Sequence, residues 1–300
     1  FTKKLSFSLG LHLFRSIIFI MYRKIIILCL LIIIFSCAKN KIIDSSGPSF
    51  NIGTDSNLDI ITWNIESFPK QGEITVERLL EIIDSMDVDI IAMQEIWGSG
   101  ASNSFDNLKN NLDGWDGSRK PSGLAYLYKI ELVINDIYEI NDLNEIIRTP
   151  YLLSINWNGQ DIYIINNHFK AFGGSDNEQQ RKTASEKIEN YVNENWGDEN
   201  IIILGDLNDD LNDDGVNVFQ GFINDSTNYM FVDMDIANGS YENWSYPGWP
   251  SHLDHILITN ELFDEFNNTG STVQTIPIEN YFDGGWSEYD NFISDHRPVV

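Results

Sequence analysis

Short apolar runs that stop at an acid, an amide or an imidazole recur along this chain. The clearest is Ile201-Ile202-Ile203-Leu204, followed at once by Gly205-Asp206-Leu207-Asn208. Branched apolar residues in a row predict a strand buried on both faces. In extended chain, side chains two apart point the same way, so Asp206 and Asn208 would aim together at one phosphate or one metal-bound water. An Asx turn is the plainer alternative. Residues 58–63 form a similar run into Asn64-Ile65-Glu66, and residues 88–93 another into Gln94-Glu95. Between them Val76, Leu79, Leu80, Ile83 and Met86 repeat at helical spacing. Residues 99–120, rich in Gly, Asn, Ser and Asp, read as loop. Further strands are predicted over 124–128, 131–140, 151–157 and 161–166, with Asn158-Gly159 as a hairpin turn. The last of these delivers Asn167-His168-Phe169-Lys170. A helix over 177–196 carries an Ala184, Ile188, Tyr191, Val192 stripe. Ser251-His252-Leu253-Asp254-His255 leads into a strand over 256–259, and a final strand begins after Ser294-Asp295-His296-Arg297-Pro298. Some neighbouring strands are hairpin-linked and others helix-linked. That mixture predicts an α/β protein with two packed mixed sheets flanked by helices.

Residues 1–37 stand apart from this pattern. Met21 is the better start, Arg23 and Lys24 give a basic region, and residues 25–35 are unbroken apolar. Eleven residues are short for a membrane span and right for a signal core. Ile34-Phe35-Ser36-Cys37 resembles a bacterial lipoprotein signal, with cleavage before Cys37 and lipid on its thiol. An uncleaved anchor that includes residues 17–20 is the alternative. Either places the rest outside the cytoplasm, at the membrane. Residues 38–57 read as a flexible tether and residues 58–300 as the folded domain. Cys29 and Cys37 are the only cysteines, so the domain has neither disulfide nor thiolate metal site.

The charge is strongly acidic. Five of the 19 Lys and Arg lie in the first 37 residues, which hold no acid; fourteen then face 45 acidic residues, a net of −31. Such a field repels polyanions, so a nucleic-acid substrate needs metal ions or local basic groups. Arg119, Lys120, Lys170, Arg181 and Lys182 are the candidates. Asp210, Asn212, Asp214 and Gly215 match the first half of a calcium loop, but its twelfth position would be Gly221 instead of Glu. A solvated acidic turn fits that stretch better.

Taken together and in order, Trp63-Asn64, Gln94-Glu95, His168, Gly205-Asp206-Leu207-Asn208, Leu253-Asp254-His255 and Ser294-Asp295-His296-Arg297-Pro298 resemble the endonuclease/exonuclease/phosphatase superfamily, typified by deoxyribonuclease I. The resemblance implies a four-layer α/β sandwich with the site at one edge of two packed sheets. It implies a divalent-metal-dependent phosphoric ester hydrolase using Mg²⁺, or Mn²⁺ or Ca²⁺. Glu95 would hold the ion, with Glu66, Asp295 and Asn64 completing its shell; Glu66 stands where relatives often have Asp. His296, oriented by Asp254, would serve as base for water. Asp206 would handle a proton, and Asn208 and His168 would donate to phosphoryl oxygens. The favoured substrate is a phosphodiester of DNA or RNA, cleaved by a secreted or surface-anchored endonuclease. The alternative is a lipid or small phosphoester, and a third reading is a non-catalytic surface binder. Trp244, Trp249 and Trp286 would stack on a base, grip a head group or pack the rim. No protein partner is implied.

Overall fold

In the computed structural model, residues 52–54, 56–213 and 217–300 are described. The signal segment, Cys37 and most of the tether lie outside them. A four-stranded sheet has the order β1 (Ile60–Asn64), β2 (Ile90–Gln94), β4 (Ala125–Lys129), β3 (Trp115–Arg119). A six-stranded sheet has the order β5 (Val133–Glu139), β6 (Tyr151–Trp157), β7 (Gln160–His168), β8 (Asn200–Asp206), β10 (Asp254–Thr259), β9 (Tyr229–Phe231). Both mix parallel and antiparallel pairs: β1 with β2 and β7 with β8 run parallel, the others antiparallel.

Three apolar cores explain the runs without alternation. Ile90, Ala92, Tyr126, Leu153, Ile164, Leu204 and Ile256 fill the space between the sheets. On the outer face of the smaller sheet, Ile91 and Met93 meet Val76, Leu79 and Ile83 of helix α1 (Glu73–Asp84) and Phe105 and Leu108 of α2 (Ala101–Asn111). On the outer face of the larger sheet, Ile201 and Ile203 meet Ala184, Ile188 and Val192 of α3 (Ser175–Asn195). A strand covered on both sides keeps apolar residues at every position. The result is the four-layer sandwich.

The region 99–120 is not a loop. Ala101, Phe105 and Leu108 are buried on one face of α2, and Leu112 follows them into the same core. The intervening Asn, Ser and Asp disfavour a helix by propensity, and burial overrides them. Strand β3, WDGSR, is an edge strand paired only with β4, which tolerates its Asp and Gly. The ordered domain also begins before residue 58. Ile52 is buried in the core on the outer face of the smaller sheet, and its carbonyl accepts from the Asp87 amide at 3.0 Å. The Asn158-Gly159 hairpin forms as expected, with φ of 51° and 88°.

Gly205 shows why glycine precedes the acid. Its φ is 141°, and a Cβ there would lie 2.0 Å from the Asn167 carbonyl oxygen on β7. Gly205→Ala is expected to lower the free energy of unfolding by about 1–3 kcal/mol or more, because β7 and β8 would have to part. Urea denaturation with an unchanged m-value would show it; an unchanged midpoint would refute the close approach.

Candidate active site

Strand register gathers the polar run-ends. His168 pairs with Asp206 across β7 and β8, Asp206 with Asp254 across β8 and β10, and Asn64 with Gln94 across β1 and β2. The two sheets are joined beneath the site by Gln94, whose Nε2 donates to Asn166 Oδ1 at 2.7 Å. Asp206 is the hub. Asn64 Nδ2 donates to its Oδ2 at 2.8 Å, His168 Nε2 lies 3.5 Å from that oxygen, and His296 Nε2 3.9 Å. Glu95 Oε1 is 3.4 Å from Asn64 Nδ2 and 3.8 Å from His168 Nε2. Asp254 Oδ2 holds His296 Nδ1 at 2.7 Å, and Asp295 Oδ1 lies 3.9 Å from His296 Nε2. Residues from positions 64 to 296 therefore share one hollow.

Two expected members sit differently. Asn208 does not share a strand face with Asp206. The chain leaves extended geometry at Asn208, whose φ is 54°, and its amide N–H donates back to Asp206 Oδ1 at 3.1 Å. That is the Asx turn, and it leaves the Asn208 side chain bonded to the Phe169 carbonyl at 3.3 Å. Glu66 is reached by the Asp295 amide at 3.1 Å but is also bound by Lys70, which bridges it to Asp290. Lys70 already supplies its carboxylate with a positive partner.

The loops that carry these groups are strained. Glu66, Ser67, Glu95, Phe172 and Asn208 all have positive φ, and besides them only the hairpin residue Asn158 does so among the described non-glycine residues. Outliers of this kind persist where surroundings impose them, and functional sites are the common setting.

Electrostatics follow from burying like charges. Burial raises the Asp206 pKa to about 7; Asp254 and Glu95 add to the rise, while His296 and the Asn64 hydrogen bond oppose it. Burial works against a charged His296, but the carboxylates of Asp254, Asp206 and Asp295 outweigh it and lift the ring to about 10. His168 is held well below its ordinary value by burial, then by Arg148 and His296. It is a neutral ring with Nε2 turned toward two carboxylates, hence a hydrogen-bond donor there.

Support behind the site was not legible in the sequence. Trp97 stacks on His168 with ring centroids 5.3 Å apart, and the Arg148 guanidinium lies 4.9 Å from the Trp97 ring centroid. Arg148 Nη1 also donates to the carbonyls of His168 and Phe169, at 3.1 and 2.6 Å. Tyr246 lies against His296, with ring centroids 4.8 Å apart. Deeper in, Asp233, His252 and His255 form a wholly buried cluster. Asp233 Oδ2 meets His252 Nε2 at 3.0 Å and His255 Nδ1 at 2.6 Å, while His255 Nε2 meets the Asp209 carbonyl at 2.9 Å. A carbonyl and a carboxylate both accept, so both nitrogens of His255 carry protons and the ring is an imidazolium. Burial opposes that charge and Asp233 overcomes it, raising the His255 pKa. With every ring nitrogen engaged, the Ser245 amide at 3.3 Å from His252 Nδ1 included, this cluster is a buried ion pair and has no free ligand atom.

Several candidate contacts are otherwise engaged. Arg181 is buried, and its Nε donates to Asp209 Oδ2 at 2.5 Å. Lys182 pairs with Glu186, Arg119 donates to the Ile96 carbonyl, and Lys120 lies over Tyr151. Trp244 donates to the Ile236 carbonyl and Trp286 packs on the core outside the smaller sheet, whereas Trp249 is 78% exposed. In the acidic turn, Asp210 Oδ1 accepts from the His252 amide at 3.0 Å; Asp214 and Gly215 lie outside the described residues.

The donor set fits a divalent cation. Glu95, Asp206, Asp254 and Asp295 bring carboxylates to one place, Asn64 turns its Nδ2 toward them while its Oδ1 accepts from the Glu66 amide at 2.9 Å, and no thiolate is present. Hard oxygen donors with unneutralised negative charge suit Mg²⁺, Mn²⁺ or Ca²⁺. A four-layer sandwich with this site at the ends of its strands defines a metal-dependent phosphoric ester hydrolase. The chain belongs to the endonuclease/exonuclease/phosphatase family, whose model matches residues 61–296. Among solved structures, D. rerio TDP2 complexed with single strand DNA product has TM-score 0.61 at 14% identity, covering 82% of this chain and 98% of that one. The human Nocturnin catalytic domain with bound sulfate gives 0.56 at 16%, covering 81% and 92%. Beta toxin from Staphylococcus aureus gives 0.51 at 16%, covering 81% and 98%. At these identities the likeness is one of fold. No curated protein matches the sequence.

Proposed function

We propose that this hydrolase is an endonuclease cleaving nucleic-acid phosphodiesters outside the cytoplasm, held to the membrane through lipid on Cys37. The reading rests on the His296–Asp254 pair, which points its free nitrogen at Asp206 beside neutral donors and an oxygen-only ligand set. The single strand DNA product held by TDP2 supports a nucleic-acid substrate.

Glu95 and Asp295 would hold the cation, with Asn64 and Glu66 beside them. Such an ion would supply positive charge toward the phosphoryl oxygens and offset the carboxylates that raise His296. His168 Nε2–H donates to a phosphoryl oxygen where charge builds, and Asn208, with one side-chain N–H held by the Phe169 carbonyl, has only its other N–H to add. Asp254 fixes the His296 ring through Nδ1, leaving Nε2 to take the proton of the attacking water. Asp206, with its raised pKa, is placed to return a proton to the leaving oxygen. No side chain in the set is an activated Ser or Cys, so water attacks directly.

The net of −31 favours a second reading, a lipid or small phosphoester. The purified protein should be offered plasmid DNA, RNA, sphingomyelin and bis-p-nitrophenyl phosphate. Cleavage of DNA or RNA, lost with chelator and regained with Mg²⁺, Mn²⁺ or Ca²⁺, is expected. Sphingomyelin turnover without nucleic-acid cleavage would transfer the case to the second reading. Divalent metal should also raise the thermal midpoint, by about 3 kcal/mol of stability at a hundredfold excess over its Kd. An unmoved midpoint would remove the proposed ligand set.

A further inference from the structure

Four carbonyls in five residues tie the segment after β7 to the site. Arg148 Nη1 binds those of His168 and Phe169; Arg181 Nη1 binds those of Lys170 and Phe172, at 3.0 and 2.9 Å. Arg181 is itself locked to Asp209, the residue after Asn208. This rigid loop displays Phe172 with 79% of its surface exposed and φ of 74°. A bulky side chain in the left-handed region is costly, and glycines stand in the next two positions, Gly173 and Gly174. The Lys170 ammonium lies 5.3 Å from the Phe172 ring centroid, and among the described residues it has no carboxylate partner. Phe172 is four residues from His168 and Lys170 two, so both groups lie within a chain reach of at most roughly 14 Å of it.

Resting on the nuclease reading, we propose that Phe172 and Lys170 form a subsite for an unstacked nucleobase and its phosphate next to the scissile bond, so that the substrate is single-stranded. An exposed ring held still is a stacking platform with little ordering cost, and a free ammonium beside it meets the strand's phosphate. The excess of acids argues in the same direction. A duplex brings one charge per roughly 1.7 Å of axis against this surface, and an unpaired strand brings about half as many. An anionic membrane would meet the same repulsion.

The test uses the full-length protein with metal, comparing a single-stranded oligonucleotide with bis-p-nitrophenyl phosphate, which has no base. Phe172→Ala should raise KM for the oligonucleotide roughly tenfold, the worth of one stacked base, with kcat and bis-p-nitrophenyl phosphate turnover unchanged. Phe172→Trp should keep KM low. Phe172→Asn tolerates the backbone, so it should raise KM without lowering the thermal midpoint. Lys170→Ala should raise KM and flatten its dependence on salt. An oligonucleotide KM unmoved by Phe172→Ala overturns the subsite while leaving the nuclease standing. So does a loss confined to association with phosphatidylcholine vesicles, which would make the ring a membrane contact. A wild-type protein that turns over bis-p-nitrophenyl phosphate but no oligonucleotide overturns the nuclease reading and the subsite with it.

Discussion

His296→Ala is expected to lower kcat on any phosphodiester the enzyme accepts by about 10²–10⁴-fold, with KM little changed. The ring touches the reacting water and not the rest of the substrate, so its loss falls on the chemical step. Removing it also strips Asp254 of its partner. Asp254 is fully buried, and its Oδ1 already lacks a hydrogen bond, so the alanine variant carries a stability cost as well. His296→Gln is the companion variant, since its amide can still donate to Asp254 while offering no base. Asp254→Asn tests the other half of the pair: the ring stays, but its tautomer and charge are no longer imposed. Steady-state kinetics on bis-p-nitrophenyl phosphate, with circular dichroism to confirm folding, provide the measurement. Turnover within a few-fold of wild type in a folded His296→Gln protein would end the role given to this residue.

The largest loss of stability is expected from Asp233→Ala, about 3–5 kcal/mol in thermal or urea unfolding, because it leaves the buried His255 imidazolium unpaired. Asp233 also accepts from the Ile256 amide at 3.0 Å, so the change frees a strand donor too. The pH dependence has a defined sign. The folded pKa of His255 is raised above 6.5, so its contribution is full below that value and fades as pH climbs through the raised one. Asp233 is held far below 3.8, mainly by its histidines against burial, so its contribution is full above 3.8 and fades in strong acid. The gap between wild type and variant should therefore be widest between about pH 4 and 6.5 and narrow in alkali. A variant that unfolds with the wild-type midpoint at pH 6 would show that the pair contributes nothing net. The Asp233→Leu variant separates a merely broken pair from a repacked one, since a filled apolar site still strands the imidazolium.

Much of the architecture could be read from residue order. Runs such as Ile201-Ile202-Ile203-Leu204 carry their own evidence of two-sided burial, because a strand with one wet face would alternate. Helix α2 could not be read this way. Its Ala101, Phe105 and Leu108 do keep a helical stripe, continued by Leu112, but Asn, Ser and Asp between them hide it from any propensity argument. Only the packing of that stripe against α1 decides the outcome.

By itself the sequence determined which groups flank the strands: Asn64, Glu95, His168 and Asp206 close or follow an apolar run, Asp254 opens one, and His296 precedes the last apolar residues. It could not determine their distances, because register between strands far apart in sequence is set by side-chain packing on both sheet faces and not by local preference. Tertiary structure chose the Asx turn over the extended alternative at Asn208, and it alone brought Asp295 and Asp290 to the Glu66–Lys70 pair and buried Arg181 against Asp209. It alone paired Asp233 with His255 across 22 residues. Charge and hydrogen-bond state depend on who the neighbours are in space, and burial then fixes the protonation that those neighbours impose.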